Sequence, residues 1–537
     1  MQSVPLFTFY RPSVHACKGI RRLFKRGSET KRPNPHPIPS IIYLITICSI
    51  HHHHILKGRD NHILKGREEM EEQLPDDMLV EILSRLPPSS LAASRCVSKH
   101  LCSIVDARRL LRAGHLLPLR LDAFYCISLA SVDRETYLFA RPSVARRIPG
   151  ACLDFRVYLE VVDHCNGLLL LCDMVLNPAT RQSAALPNAP DPSIENMLGV
   201  ATVWAGTAPH RPPFYLYTDF NLVYDPMAES PEHFEVFLIP VLSCGHSGLM
   251  SDNITINLEE QEWPPSTFRT HVFSSRSWRW EERSWVRQGE PTGTMADMLR
   301  SEHGSNHKAV YFRGALYVHY SNESVMRISI SKDRNTYQMM RLPAIRSKQI
   351  VERATFYLGK SEKGVYCALF YWAQDDSDPQ FRVWSLMEEE MNGRDGQIHM
   401  KWLIKTSISL KPLLAQLHHC GHDLTPDEWR IIYNRHDRDL AGSSAQDDND
   451  DEWDFENAHE IVLEAPNNVK DWYPIDFLGF HPYKEIVFFS LSWKTISYNL
   501  NTTKVRQLGC AAHIPVGIKT CFPYTPCYLT MEKLTNS

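Results

Sequence analysis

What this chain of 537 residues lacks removes several enzyme classes at once. It has no G-x-x-x-x-G-K-[ST] and no G-x-G-x-x-G, so no glycine turn is available to cradle a nucleotide phosphate. It has no G-x-S-x-G elbow, and Gly245-His246-Ser247-Gly248 has the wrong spacing to expose a nucleophile. None of its 14 cysteines forms a C-x-x-C, which excludes the common zinc and dithiol spacings. They are scattered, with Cys172, Cys367 and Cys510 in apolar runs, so the expectation is reduced, buried thiols rather than a disulfide scaffold. That suits a cytoplasmic or nuclear protein. A net charge of −4 gives no global basic field for nucleic acid or an anionic membrane. The apolar run Ile38–Ile50 falls short of the ~20 residues that a membrane-spanning helix needs.

What is present points to a folded protein. Hydrophobic residues make up 43% and aromatics 10%, enough for a sizeable core. The length suggests two units plus tails. Residues 1–70 read as a disordered basic extension. Within residues 1–37, Lys18, Arg21, Arg22, Lys25 and Arg26 stand near the single acid Glu29, and further on HILKGR occurs twice, at His54–Arg59 and His62–Arg67. Two copies do not make a solenoid, and His51–His54 sit in no pattern that would hold a metal.

Residues 71–115 change character. Met78, Leu79, Ile82, Leu83 and Leu86 keep to one side of a 3.6-period helix. Pro75, Asp76 and Asp77 suit its first turn, and Pro87-Pro88 stop it. Ser89 and Ser90 can cap a second short helix with Leu91, Ala92 and Val97, and Ser98 a third with Leu101, Ile104 and Val105. Three helices in so short a stretch bury too little to stand alone and must lean on a neighbour.

From residue 120 to 515 short β-rich runs replace the helical period, separated by Gly, Pro, Asn and Asp. A strand, a polar turn and a second strand ending in an apolar residue recur, with markers Leu186, Ile239, Leu342 and Leu508. These are 53, 103 and 166 residues apart, near multiples of about 50 to 55, the period of a kelch-type blade. Trp278–Glu290, Phe381–Trp402 and Ile461–Pro466 are candidates for the missing phases. The expected fold is a β-propeller of about six or seven irregular blades, with 516–537 as a tail or closing strand. A pair of β-sandwiches is the rival.

Three further clusters read as structural. His418, His419, Cys420 and His422 match no zinc spacing. Asp447–Glu456 is acidic but lacks the register of a calcium loop, and reads as a solvated loop. Trp263, Trp278, Trp280 and Trp285, interleaved with Arg276, Arg279, Arg283 and Arg287, could serve a binding surface, but blade cores also need large aromatics.

Resemblance gives these patterns a function. Leu74-Pro75-Asp76-Asp77, Glu81-Ile82-Leu83, Arg85-Leu86-Pro87, Ser90-Leu91 and Arg95-Cys96-Val97-Ser98-Lys99, in that order, resemble the F-box of plant F-box proteins. His164-Cys165-Asn166-Gly167-Leu168-Leu169-Leu170 with Asn177–Arg181 resembles the opening of their kelch-like F-box-associated domain. Phe477–Pro482 with Tyr498 is similar to its end. The resemblance implies a non-catalytic, substrate-recognising subunit of an SCF-type ubiquitin ligase, with no cofactor. Its F-box would bind a Skp1-like adaptor, and through it a cullin–RING ligase, by Leu74, Pro75, Leu79, Ile82, Leu83, Leu86, Leu91 and Val97. Its β domain would hold a protein target. The alternative is an interaction module with weak or lost ligase coupling. The family pattern is broken at Ser89 (usually basic), Ser94 (often Phe) and Leu101 (usually Trp), so any weakening of adaptor binding is expected around Ser94 and Leu101.

Overall fold

A computed structural model of the chain describes residues 76–84, 91, 94, 99–108, 110, 120–128, 136–148, 160–191, 214–228, 230–244, 261–295, 309–320, 324–330, 335–343, 355–372, 378–390, 398–413, 428–432, 475–491, 494–511, 518–529, 531 and 535–536. The chain divides into two compact units, Met1–Arg112 and Ala113–Ser537.

The first unit is helical where it is described. Helix α1 (Asp76–Ser84) begins with Asp76 and Asp77 at the positive end of its dipole. Helix α2 (Lys99–Ala107) packs against it. Of the expected middle helix, Leu91 and Ser94 are described, both in helical backbone and both buried. The core is small: Leu83, Leu91, Leu101, Ile104 and Val105, with Leu79, Val80 and Leu110 against it. Two exposed pairs join the helices, His100–Asp76 at 3.2 Å and Arg108–Asp77 at 3.1 Å. Such pairs add little, about 0–1 kcal/mol each, so the apolar core holds the unit. Ser94 and Leu101 lie inside it, and the shrinkage from Phe and Trp therefore falls on helix packing rather than on an outward anchor.

The second unit is mostly β. The first strands, β1 (Ala123–Ser128) and β2 (Thr136–Ala140), precede a short helix, α3 (Pro142–Arg147). Next come β3 (Val161–Cys165), β4 (Leu168–Leu171), β5 (Met174–Asn177) and β6 (Gln182–Ala185), a four-stranded antiparallel array. A second array holds β7 (Phe214–Tyr224), β8 (Phe234–Cys244), β10 (Thr267–Ser274) and β11 (Arg279–Gln288). The short strands β9 (Glu262–Trp263) and β12 (Gly293–Thr294) pair beside it. A third holds β13 (Ala309–Phe312), β14 (Ala315–Tyr320), β15 (Ser324–Ser329) and β16 (Thr336–Arg341). A fourth holds β17 (Thr355–Ser361), β18 (Gly364–Trp372), β19 (Pro379–Glu390) and β20 (Ile398–Ser409). After β21 (Trp429–Ile432), a fifth holds β22 (Ile475–Phe480), β23 (Ile486–Leu491), β24 (Lys494–Asn499) and β25 (Val505–Cys510).

The sixth array closes the unit. Strand β26 (Ile518–Tyr524) pairs with β1, so the order β26-β1-β2-β21 joins residues from both ends of the unit. Strand β27 (Thr535–Asn536) adds to β6. The innermost strands β3, β7, β13, β17, β22 and β26 surround one cavity, a propeller-like ring rather than two sandwiches. Outer strands also join neighbours in parallel: β11 with β16, and β21 with β25. At the second joint Gly509 is required, because any Cβ there would strike the backbone of Trp429. The turn Asn166-Gly167, with φ 44° and 92°, supplies the paired positive φ values of a tight hairpin between β3 and β4.

Two sequence expectations need correction. The marker Ile239 is expected to close the same kind of connection as Leu186, Leu342 and Leu508, with Val223–Pro226 as its turn and Phe237–Pro240 as its second strand. This stretch instead joins a first strand to a second, whereas the other three markers close third-to-fourth connections. Asp225-Pro226 starts a turn wherever it occurs, so it was out of phase. The matching turn in that array is Ser275–Trp278, which has no Pro or Asn to announce it. The second correction concerns thiols: Cys367 is buried, Cys510 half-buried and Cys172 exposed. The segment Ile461–Pro466, the acidic run 447–456 and the cluster at 418–422 lie outside the described residues. No helix among the described residues is long and apolar enough to cross a membrane.

Candidate functional site

Two surfaces are candidates, one on each unit. On the helical unit, α1 shows a graded face. Leu83 is fully buried, Leu79 and Ile82 are half-buried, and Met78 is 53% exposed. Met78 and Ile82 are four residues apart and so stack along one side of the helix. The eight residues expected to bind an adaptor therefore divide. Leu83 and Leu91 are interior side chains that hold the helices together. Leu79 and Ile82 are partly available at the surface. Leu74, Pro75, Leu86 and Val97 lie outside the described residues. Met78 was not among the eight expected residues: the apolar period counts it with the core, and only its exposure separates it.

On the β unit, the six innermost strands enclose a cavity of about 170 Å³. Part of the hairpin start that the sequence singled out, His164–Asn166, belongs to its wall. Lys360 on β17 reaches across the ring and donates to Asn166 Oδ1 at 2.6 Å. Asn166 in turn donates to the carbonyl of Tyr224 at 2.7 Å, and Cys165 Sγ donates to the same oxygen at 3.4 Å. Asp163 accepts from the amide of Leu222 at 2.7 Å. Tyr311 on β13 donates to Asp225 Oδ2 at 2.8 Å. Four of the inner strands are thus tied by polar contacts around the hollow.

Burial sets the charges here. It lowers the pKa of Lys360, opposed by Cys165 and Asp225. Burial pushes the Cys165 thiol up to about 12, against the pull of Lys360. A thiol with so high a pKa stays protonated at neutral pH and is a poor nucleophile. Asp476 on β22 rises to about 6 through burial, with the amide of Ile518 acting the other way at 3.2 Å. The cavity can hold a small polar group but shows no activated nucleophile in Cys165. Among the described residues no group of three or more His, Cys, Asp or Glu is placed to hold a metal ion.

The Trp and Arg stripe resolves into packing and pairing. Trp263 and Trp285 are buried, and Trp278 and Trp280 lie half-buried against the core. Arg283 pairs with Glu235 at 2.7 Å and Arg287 with Glu262 at 2.7 Å.

Comparison with known proteins agrees with the helical half of this picture. Residues 72–113 match the F-box domain family. The chain is also 30% identical over 144 residues to an Arabidopsis thaliana protein named as an F-box protein. That stretch is 25% of this chain and 54% of the relative, so the chain spans about half the length of the relative it matches.

Proposed function

We propose that this chain, an F-box protein through residues 72–113, is the target-recognising subunit of an SCF-type ubiquitin ligase. The observation that carries the reading is the F-box match over the segment that contains α1 and α2. In this reading Met78, Leu79 and Ile82 meet a Skp1-like adaptor, together with Leu74, Pro75, Leu86 and Val97, while Leu83 and Leu91 keep the helices in place. The adaptor connects to a cullin–RING ligase. The β unit, read as a six-bladed propeller of the kelch-like F-box-associated type, holds the target. The subunit makes no bonds itself; holding the target beside the ligase makes transfer effectively intramolecular. The free buried thiol of Cys367, away from the facing pair Cys126 and Cys521, is in keeping with a cytoplasmic or nuclear location.

Adaptor capture tests the reading. Replacing Met78 and Ile82 by Asp is expected to abolish pull-down of a purified Skp1-type adaptor while the β unit keeps its melting temperature. Undiminished capture would remove that face from the interface. Recovery of the adaptor without a cullin from cell extract would instead favour an interaction module uncoupled from the ligase.

A further inference from the structure

We propose that the outer edge of β20 is a strand-pairing site for an extended peptide that carries a carboxylate and a large apolar side chain two residues apart. The proposal rests on the reading that the β unit holds a target, and names how one segment of that target docks.

The topology isolates this strand. Among the described residues the other outer strands are engaged: β6 carries β27, β11 pairs with β16, and β21 pairs with β25. Strand β20 instead ends its sheet, with β19 as its one described neighbour. It is also long, 12 residues reading IHMKWLIKTSIS. Proteins usually blunt such edges with Lys, Pro, short strands or bulges, because the free row of N–H and C=O groups templates another strand; here Lys401 is exposed, and a carboxylate on the incoming strand would neutralise it. This one has no Pro. Its bulge lies opposite Val383/Trp384, which leaves 398–404 in regular register along β19.

Side chains make the edge selective. Ile404 is 62% exposed, Leu403 36%, and the neighbouring Met387 37%, where few large apolar residues among the described residues of the unit are exposed. The strand is held from behind, since Trp402 Nε1 donates to the carbonyl of Arg341 at 3.1 Å. An ordered edge costs a ligand less than one that must be fixed on binding. Lys401 and Leu403 are two residues apart, so they share a face, and both are exposed. Lys405 is turned to the buried Glu485 at 3.4 Å and so is already engaged. A strand laid along β20 would therefore set a carboxylate opposite Lys401 and an apolar residue opposite Leu403. A second copy of the chain suits the edge poorly. Strand β20 itself carries His399, Lys401 and Lys405 and no acid, so antiparallel self-pairing puts basic side chains on both pairing strands, and only Glu389 of β19, opposite His399, stands beside them in the register.

Fluorescence anisotropy on the full chain tests this with a labelled heptapeptide, Thr-Thr-Asp-Thr-Leu-Thr-Thr, and its counterpart with Lys in place of Asp. The Asp peptide is expected to bind about two- to fivefold more tightly than the Lys peptide, the scale of one cross-strand charge pair. The variant Lys401→Glu should reverse that preference without changing the melting temperature or adaptor pull-down. Two backbone forms of the peptide, N-methylated at odd or at even amides, should differ, because only one set of amides faces the edge. Equal binding of both charge forms, equal binding of both methylated forms, or no binding would overturn the proposal. A dimer of the chain that the peptide dissociates would assign the edge to a second copy and overturn it too. Failure of the F-box reading would show separately, as lost adaptor capture by the unaltered chain.

Discussion

The helical unit and the β unit solve the problem of burial in opposite ways. The helical core rests on Leu83, Leu91, Leu101, Ile104 and Val105, contributed by residues close in sequence. The β unit spreads its core over several clusters between neighbouring arrays, each made of residues far apart in the chain. Its closure depends on β1 meeting β26, where Cys126 lies opposite Cys521. A thin local core makes a unit easy to read from sequence and easy to unfold. A distributed core makes a unit robust to single losses but dependent on one long-range closure.

The largest effect should come from removing that closure. A chain ending before Ile518 loses Phe522 and Tyr524, both buried, together with the pairing partner of β1. Each aromatic is worth about 3–5 kcal/mol, so the pair alone approaches the whole stability of an ordinary domain, about 5–15 kcal/mol. Limited proteolysis should then cut throughout the β unit while the helical unit still captures adaptor. A truncated chain with an intact protease pattern would show that β26 is dispensable and that the contrast drawn above is wrong.

A smaller effect, confined to the other unit, should follow Leu83→Ala. The side chain is fully buried in the small helical core, and such truncations cost about 2–5 kcal/mol. Hydrogen exchange in α1 and α2 should rise toward unfolded rates, with the β-unit strands unchanged. Slow exchange surviving in α1 would mean that the helical core is deeper than these five residues.

The same contrast explains what could be read beforehand. Helix α1 was legible because its signals are local: the 3.6 spacing, the first-turn acids and the proline stop. The second strands β4, β14 and β18 are legible too, since Gly167, Gly314 and Gly364 each lead an apolar run, while β23 shows an apolar run without a Gly before it. Other features were not. Strand β21 sits at the outside of the closing array although it falls between β20 and β22 in the chain, and no local pattern encodes that. The mis-phased Ile239 marker failed because Asp-Pro reports a turn and not which turn. At the cavity, Asn166 was visible as a turn residue, but Lys360, its partner across the ring, carries no sequence signal linking the two. The inward position of Ser94 and Leu101 likewise needed the packing of α1 on α2.

The smallest effect sharpens the comparison through pH. Asp476 is raised from 3.8 to about 6 by burial, on the innermost strand of the fifth array. A carboxyl whose folded pKa lies above its unfolded value favours the folded state when protonated. Its contribution is therefore fully present below about pH 4 and lost as pH rises through about 6. At pH 7 the ionised group costs on the order of 1–2 kcal/mol after discounting for partial solvation. Asp476→Asn should thus stabilise the β unit at pH 7.5, keeping an oxygen to accept from Ile518, and should do little at pH 4. The helical unit should not respond, since Asp476 belongs to the other unit. Urea melts of both chains at the two pH values, followed by the β-unit signal, check this. Equal midpoints at pH 7.5 would mean that water reaches Asp476, and that the ring is less dry beside its cavity than its packing implies.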